Sequence, residues 1–133
     1  MSEPLIILEH VNTWFPYEKS MFGQPASWVK AVNDVTLNLI QGECLGLVGE
    51  SGCGKSTLGR TILRLAPLHS GNIRFMGADI SGLSGKKLKP FRADMQMVFQ
   101  DPKASLNPKM TVFKILKEAL HLNIHMKKEA YLE

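Results

Sequence analysis

A glycine-rich run at residues 49–57 constrains the fold of this chain more than any other feature of its sequence. The run fits the pattern G-x-x-x-x-G-K-[ST] at every fixed position, and its residues are Gly49, Glu50, Ser51, Gly52, Cys53, Gly54, Lys55, Ser56 and Thr57. Small glycines allow backbone N–H groups to converge on a phosphate chain, which bulkier residues would keep away. In this pattern the lysine faces the β- and γ-phosphates, and the Ser56 hydroxyl is a ligand for Mg²⁺. The run therefore predicts a nucleotide-binding loop.

The residues on either side of the loop fit this interpretation. Residues 43–48 are mostly apolar and predict a buried strand, in which Cys44 acts as a small hydrophobic residue. Apolar residues then recur at helical spacing up to Pro67, which is predicted to end the helix. These residues are Leu58, Ile62 and Leu65. Strand, glycine loop and helix follow in the order that a phosphate-binding loop requires, so a chance match in a glycine-rich turn is the weaker interpretation.

Strands are also predicted elsewhere in the chain. They cover residues 5–11, 28–39, 72–76 and 95–99, where apolar residues form short runs or alternate with polar ones. Residues 14–17 form an aromatic cluster interrupted by proline, residues 18–27 are predicted as a loop, and residues 84–92 as a helical stretch interrupted at Pro90. This order predicts an α/β P-loop core with an antiparallel β part beside it.

A further helix is predicted after Thr111, a residue type that commonly caps helix N-termini. Its apolar residues lie on one face at helical spacing: Val112, Ile115, Leu116, Ala119 and Leu120. Such a stripe usually packs into a core, and we expect the same here.

Length and composition predict one domain with a substantial core, because the chain has 133 residues, 44% of them hydrophobic and 21% charged. No apolar run reaches the ~18 residues of a membrane span, and the first residues do not resemble a signal peptide, so a cytoplasmic protein is expected. The net charge of +4 is scattered, and no nucleic-acid partner is expected. Two cysteines do not form a disulfide framework. Cys53 is either a reactive thiol or a small residue that fits the loop, and the second interpretation is favoured.

A second set of motifs narrows the class of protein. Residues 97–102 read MVFQDP, residues 104–108 read ASLNP, and Met110 and Thr111 follow. Together with VKAV at 29–32 and GLVGESGCGKSTLGR at 46–60, they resemble the ATP-binding subunits of ABC transporters, and within that family the oligopeptide/dipeptide importers. The resemblance extends from about residue 5 to residue 120, and the ASLNP segment is its most discriminating part.

The resemblance implies roles for individual residues, with ATP and Mg²⁺ as ligands. Phe15 occupies the position of the aromatic residue that stacks on adenine, and Trp14 is the alternative candidate for that role. The purely structural interpretation is that Phe15 is a core aromatic residue at the end of a strand. Gln100 resembles the glutamine that contacts Mg²⁺ or the attacking water, so Ser56 and Gln100 are the implied Mg²⁺ ligands. Residues 101–120 approach the region that docks on the membrane subunit.

The resemblance also implies an architecture and a set of partners. Residues 1–133 would be the N-terminal part of a single ATP-binding domain, an ABC-type P-loop core that is incomplete on its C-terminal side. The whole subunit would hydrolyse ATP to power oligopeptide or dipeptide import. Its partners would be a second ATPase subunit, identical or different, the membrane permease subunits and, indirectly, a solute-binding protein. It would lie in the cytoplasm, peripheral on the inner face of the cell membrane.

Three motifs of the family are not found in this sequence. They are the signature Leu-Ser-Gly-Gly-Gln, the Asp-Glu pair that ends the Walker B strand, and the switch histidine. A fragment of a longer sequence is therefore favoured over a natural short regulatory product. We expect uncovered strand edges, low stability, and nucleotide binding with negligible hydrolysis by this chain alone.

Other classes of function remain open at this stage. A non-catalytic module that pairs with intact subunits is one, and another P-loop enzyme, such as a small kinase or GTPase, is a second. A soluble ABC protein of DNA repair or translation is a third, which the segment at 104–108 disfavours. The sequence does not indicate whether the transported solute is a peptide, nickel or another molecule.

Overall fold

The structure, a computed structural model, describes residues 3–19, 25–101 and 106–123. Its strands are β1 (Pro4–Lys19), β2 (Pro25–Ile40), β3 (Ser70–Phe75) and β4 (Ala78–Asp79). Its α-helices are α1 (Lys55–Ile62), α2 (Lys89–Asp94) and α3 (Val112–Asn123), and a single 3₁₀ turn covers Gly85–Lys87. The chain divides into two compact units, Met1–Ser84 and Gly85–Glu133.

The first unit is built on an antiparallel sheet with the strand order β2-β1-β3-β4. β1 lies between β2 and β3, so that Leu8 is opposite both Leu37 and Ile73. The strands predicted at 28–39 and 72–76 are confirmed. In β3 the buried residues Ile73 and Phe75 alternate with exposed ones, as the apolar pattern predicted.

Both long strands extend further than the sequence predicts. β1 continues through the aromatic cluster to Lys19 and β2 begins at Pro25, so the predicted loop is shorter than residues 18–27. Pro16 is tolerated inside β1 because β3 pairs with β1 only as far as Asn12. Beyond that point β1 pairs only with β2 among the described strands, so Pro16 lies at an edge of the described sheet, where proline is tolerated.

β1 and β2 each contain a bulge, and the two bulges lie near each other in the β1–β2 ladder. His10 and Asp34 both have positive φ angles, 52° and 54°, and the His10 Nδ1 and Asp34 Oδ1 atoms are 2.7 Å apart. The Asn12 side chain donates to the His10 carbonyl and accepts from the Asp34 N–H, which fixes both bulges. The extra residue in β1 changes the alternation, and Leu8 and Val11 both become fully buried although they are three residues apart.

Helix α1 ends earlier than Pro67. The Leu65 N–H bonds to the Arg60 carbonyl and the Arg64 N–H to the Thr61 carbonyl, while Arg64 has a φ of 54°. This is a Schellman motif with arginine in the left-handed position that glycine usually takes. Leu65 therefore lies outside the helix and is exposed, which corrects its predicted place on the helical face.

Two predicted strands are wrong. Residues 43–48 and 95–99 have extended or irregular backbone but belong to no ladder among the described strands. A strand is stabilised by hydrogen bonds to a neighbour, and an apolar sequence without that neighbour does not form one. Cys44 is consequently exposed rather than buried, and Val48 is 96% exposed.

The second unit contains the short helices and α3. Pro90 lies in the first turn of α2, where proline is accommodated, so it helps to start that helix rather than interrupt one. Thr111 is confirmed as a cap, because its hydroxyl accepts from the Lys114 N–H at 3.4 Å. The apolar stripe of α3 is not core, since Val112 is 74% exposed and Leu116 is 59% exposed. None of the described helices is long and apolar enough to cross a bilayer.

The bulge in β1 leads to a stability prediction for β3. Gly71 has a φ of +95°, and a Cβ there would overlap the backbone carbonyl of His10. We expect Gly71→Ala to lower the free energy of unfolding by about 2 kcal/mol or more, measured as a shift in the urea midpoint.

Two other glycines provide matched controls for this substitution. Gly77 has a φ of +78° with open space around it, so Gly77→Ala introduces backbone strain of about 1 kcal/mol without overlap. Gly82 has neither constraint, and Gly82→Ala should be nearly neutral. If Gly71→Ala were no more destabilising than Gly77→Ala, the close approach of β1 and β3 would not be an important constraint.

Candidate functional site

The glycine-rich loop is placed against strand β2 by Gly54. This residue is the N-cap of α1 and has a φ of 96°, which favours glycine. A Cβ at Gly54 would overlap the carbonyl oxygen of Ala31 in β2. Ala31 is the extra residue at a register shift, because Thr13 pairs with Val32 while Trp14 pairs with Lys30. A bulge in β2 thus brings its backbone against the loop.

Helix α1 begins directly after this glycine. Its N-cap makes no side-chain hydrogen bond, and no acidic residue lies in its first turn. The first N–H groups of a helix have no partner within the helix, and here they belong to Lys55, Ser56 and Thr57. Together with the positive end of the helix dipole, they form an environment that favours an anion.

The Lys55 side chain turns back over the loop. Its ammonium donates to the carbonyl oxygens of Gly49 and Glu50 at 2.7 and 2.6 Å, and it lies 3.3 Å from the Cys53 sulfur. An ammonium has three donors, and these three contacts can use all of them. The positive charge is therefore held at the centre of the loop rather than extended into solvent.

A cavity of about 340 Å³ lies beside the contact between the loop and β2. Its lining includes the polar Lys30 and Asn33 of β2 as well as apolar residues of β2 and α1, together with the loop residues Cys53, Gly54 and Lys55. The Ser56 side chain is exposed at the start of α1. The loop therefore offers backbone donors, the Lys55 ammonium and the hydroxyl of Ser56 close to an open space.

The two candidate aromatic residues on β1, Trp14 and Phe15, have different environments in the structure. The Trp14 ring stacks on His69, with centroids 4.0 Å apart, and the Lys30 ammonium lies 4.7 Å from its centre. Phe15 is 36% exposed and has no ring or cation contact among the described residues. Neighbouring residues on a strand point to opposite faces, so only Phe15 shares a face with Thr13, which contacts α1. This geometry favours Phe15 as the free stacking surface.

Gln100 lies in the second unit, where it is exposed. The phosphate loop and Phe15 both lie in the first unit, and the roles of Phe15 and Gln100 stay predictions. Residues 104 and 105 of the ASLNP motif lie outside the described residues.

Sequence reasoning missed two threonines near the loop. Thr13 and Thr61 are both fully buried, and their hydroxyl oxygens are 2.7 Å apart. Their positions carried a signal, because Thr61 falls between Leu58 and Ile62 on the buried face of the helix and Thr13 follows Val11 by two residues in the strand.

Comparisons with known proteins agree with these features. A family model described as ABC transporter matches residues 32–132. The chain is 51% identical over 117 residues to the oligopeptide transport ATP-binding protein AppF of Bacillus subtilis, covering 87% of this chain and 36% of that protein. It is 49% identical over 102 residues to OppF of Salmonella typhimurium, covering 77% and 30%. A glutathione import ATP-binding protein, GsiA of Pectobacterium atrosepticum, is 42% identical over 130 residues, covering 97% and 21%.

Solved structures show the same fold. The ATP-binding cassette MJ0796, in a dimeric post-hydrolysis state bound to ADP and Pi, superposes with a TM-score of 0.76 at 24% identity. The match covers 94% of this chain and 51% of that one. The chain thus spans about a third of the length of AppF and about half of the solved cassette. The α/β P-loop fold predicted from the sequence is confirmed, and since the family model covers most of its residues, the chain belongs to the ABC transporter family.

Proposed function

We propose that residues 49–57 bind the triphosphate of ATP, and the observation that carries this proposal is the position of Lys55. Its ammonium lies 2.6 and 2.7 Å from two loop carbonyls, directly before a helix whose first turn has no acidic residue and no side-chain cap. Positive charge and backbone donors that converge in an open loop suit a polyphosphate better than a neutral ligand.

Binding of a phosphate requires Lys55 to exchange one of its present contacts. The Cys53 sulfur is the weakest acceptor of the three and, at 3.3 Å, the most distant. A phosphate oxygen would replace this contact first, and the two carbonyl bonds would keep the ammonium at the centre of the loop. Cys53 then serves as a small residue that yields space to the ligand.

Phe15 would stack on the adenine ring. Its exposed position and the absence of a ring neighbour among the described residues support this role over Trp14, whose ring is already in contact with His69 and Lys30. Stacking on a flat aromatic ring provides base affinity without a demand for specific hydrogen bonds.

Mg²⁺ fits the donor set at the start of α1. The Ser56 hydroxyl is an oxygen ligand of the kind that Mg²⁺ prefers, and it is exposed beside the phosphate loop. The family resemblance implies Gln100 as a second oxygen ligand. When bound, Mg²⁺ neutralises charge on the phosphates, and Ser56 and Gln100 are the residues that we propose would hold it.

At the level of the whole protein, we propose that residues 1–133 form the N-terminal part of an ATP-binding domain that powers peptide import. The support is that similar proteins are named for oligopeptide transport and for import of glutathione, which is itself a tripeptide. This domain would pair with a second ATPase subunit and dock on permease subunits at the inner membrane face. A solute-binding protein would deliver the peptide, and ATP hydrolysis by the paired domains would drive transport.

Lys55→Ala tests the phosphate site. Loss of a charge-assisted hydrogen bond, worth about 1.5–3 kcal/mol, should weaken ATP binding by roughly 10- to 100-fold in titration calorimetry. Lys86→Ala removes an exposed lysine of the second unit and should leave the affinity unchanged. Equal losses in both variants would indicate a general charge effect and would contradict the assignment of the loop.

Phe15→Ala tests the adenine contact. We expect ATP binding to weaken by about tenfold, because a stacked base contributes roughly 1–3 kcal/mol. Binding of inorganic tripolyphosphate, which has no base, should not change. A variant that loses affinity for both ligands would place Phe15 in the phosphate site or in the fold, and Trp14→Ala provides the comparison.

A chimeric transporter tests the role in peptide import. The matching 117-residue segment of AppF is replaced by the corresponding segment of this chain in a strain that depends on AppF for uptake of a labelled peptide. We expect uptake to be restored by the chimera and abolished by Lys55→Ala within it. A chimera that is expressed and binds ATP but supports no uptake would contradict the transport proposal.

A further inference from the structure

A chain of hydroxyl hydrogen bonds connects strand β1 to the first turn of α1. The Thr13 and Thr61 hydroxyl oxygens are 2.7 Å apart, and both residues are 0% exposed. The Thr61 hydroxyl also lies 2.8 Å from the carbonyl oxygen of Thr57, to which it donates. Thr57 is the last residue of the phosphate loop, so the chain of bonds leads from the sheet into the loop.

The direction of these bonds follows from the number of protons. A hydroxyl has one proton to donate, and Thr61 gives its proton to the Thr57 carbonyl. The Thr13 hydroxyl must therefore be the donor in the bond between the two threonines. Thr61 is the central member that accepts from one partner and donates to the other, and Thr13 has its only proton committed to Thr61.

The same strand carries Phe15 two residues further on. Residues two apart on a strand share a face, and no register shift in β1 itself separates Thr13 from Phe15, because the irregularity at this point is the extra residue Ala31 in β2. Phe15 therefore lies on the face of β1 that packs against α1.

We propose that Thr13 and Thr61 are positioning residues that set the spacing between the adenine-stacking ring of Phe15 and the phosphate loop. This inference rests on the proposed binding of ATP by Phe15 and Lys55. Neither threonine contacts the nucleotide. Their hydroxyl bond holds strand and helix in a fixed relation, so that base and phosphates are bound together.

The spacing itself depends on the hydroxyl bond. Two oxygens joined by a hydrogen bond lie 2.7 Å apart here, whereas two methyl groups in contact need roughly 3.5–4.0 Å. Replacing both threonines by valine should move β1 and α1 apart by about 1 Å at this point. The double replacement leaves no buried hydroxyl without a partner, so the fold should tolerate it better than Thr61→Val alone, in which the Thr13 hydroxyl loses Thr61.

The experiment compares two ligands in variants of the purified 133-residue chain. Affinities for ATP and for inorganic tripolyphosphate are measured by titration calorimetry for wild type, Thr13→Val/Thr61→Val and Thr13→Ser/Thr61→Ser. In the valine pair we expect ATP affinity to fall by about 3- to 10-fold while tripolyphosphate affinity is retained. The serine pair keeps both hydroxyls and should retain the wild-type ratio, although it loses two buried methyl groups.

Each outcome has a defined meaning. If the valine pair binds both ligands as wild type does, or loses both equally, the positioning role is wrong. If the serine pair shows the same selective loss as the valine pair, the methyl groups determine the ratio and the hydroxyl bond does not. Failure of the proposed function is recognised separately, because wild type would then bind no ATP or would be unaffected by Phe15→Ala.

The single variants provide a second measurement on the same bond. In Thr61→Val the buried Thr13 hydroxyl loses its acceptor among the described residues, whereas in Thr13→Val the Thr61 hydroxyl still donates to the Thr57 carbonyl. We therefore expect Thr61→Val to lower the urea midpoint more than Thr13→Val does. The reverse order would contradict the direction assigned to the bonds.

Discussion

The close approach of the glycine-rich loop to strand β2 is the constraint on which the arrangement of the site depends. A Cβ at Gly54 would overlap the carbonyl of Ala31, so the loop can reach this position only with glycine at its last turn before the helix. Ala31 is available because a bulge interrupts the ladder between β1 and β2 at that residue. The sheet thus fixes where α1 begins and where its unpaired N–H groups converge.

The electrostatics of the loop follow from the same placement. With no acidic residue in the first turn of α1 and no side-chain cap, the positive end of the helix is not neutralised by a side chain of that turn. Lys55 adds a full charge and is kept near the loop by two carbonyl bonds. Backbone carbonyls can hold an ammonium without cancelling its charge, which a carboxylate would do, so the site remains attractive to an anion.

Features that depend on local sequence could be predicted, and features that depend on a neighbour could not. The helix that begins directly after the glycine loop, the alternation in β3 and the cap at Thr111 are encoded within a few residues, and the structure confirms them. Residues 43–48 have the composition of a buried strand, yet none of the described strands pairs with them. Likewise, arginine in the left-handed position of a Schellman motif gives no signal comparable to glycine, so the end of α1 at Ile62 was not predicted.

The same contrast applies to the candidate site, where some features follow from adjacent residues in the sequence and others depend on residues that are distant in the sequence. The proposed phosphate-binding half is one continuous run in the sequence. The choice between Trp14 and Phe15 instead depends on His69 and Lys30, which only the fold brings to the Trp14 ring. The two halves also have different anchors, since the loop is placed by Gly54 against β2 and Phe15 lies on β1 beyond Thr13. If the loop binds phosphates and Phe15 stacks on the base as proposed, affinity for the phosphates and affinity for the base can therefore change independently. A substitution far from the glycine pattern would then alter nucleotide preference while every residue of that pattern is retained.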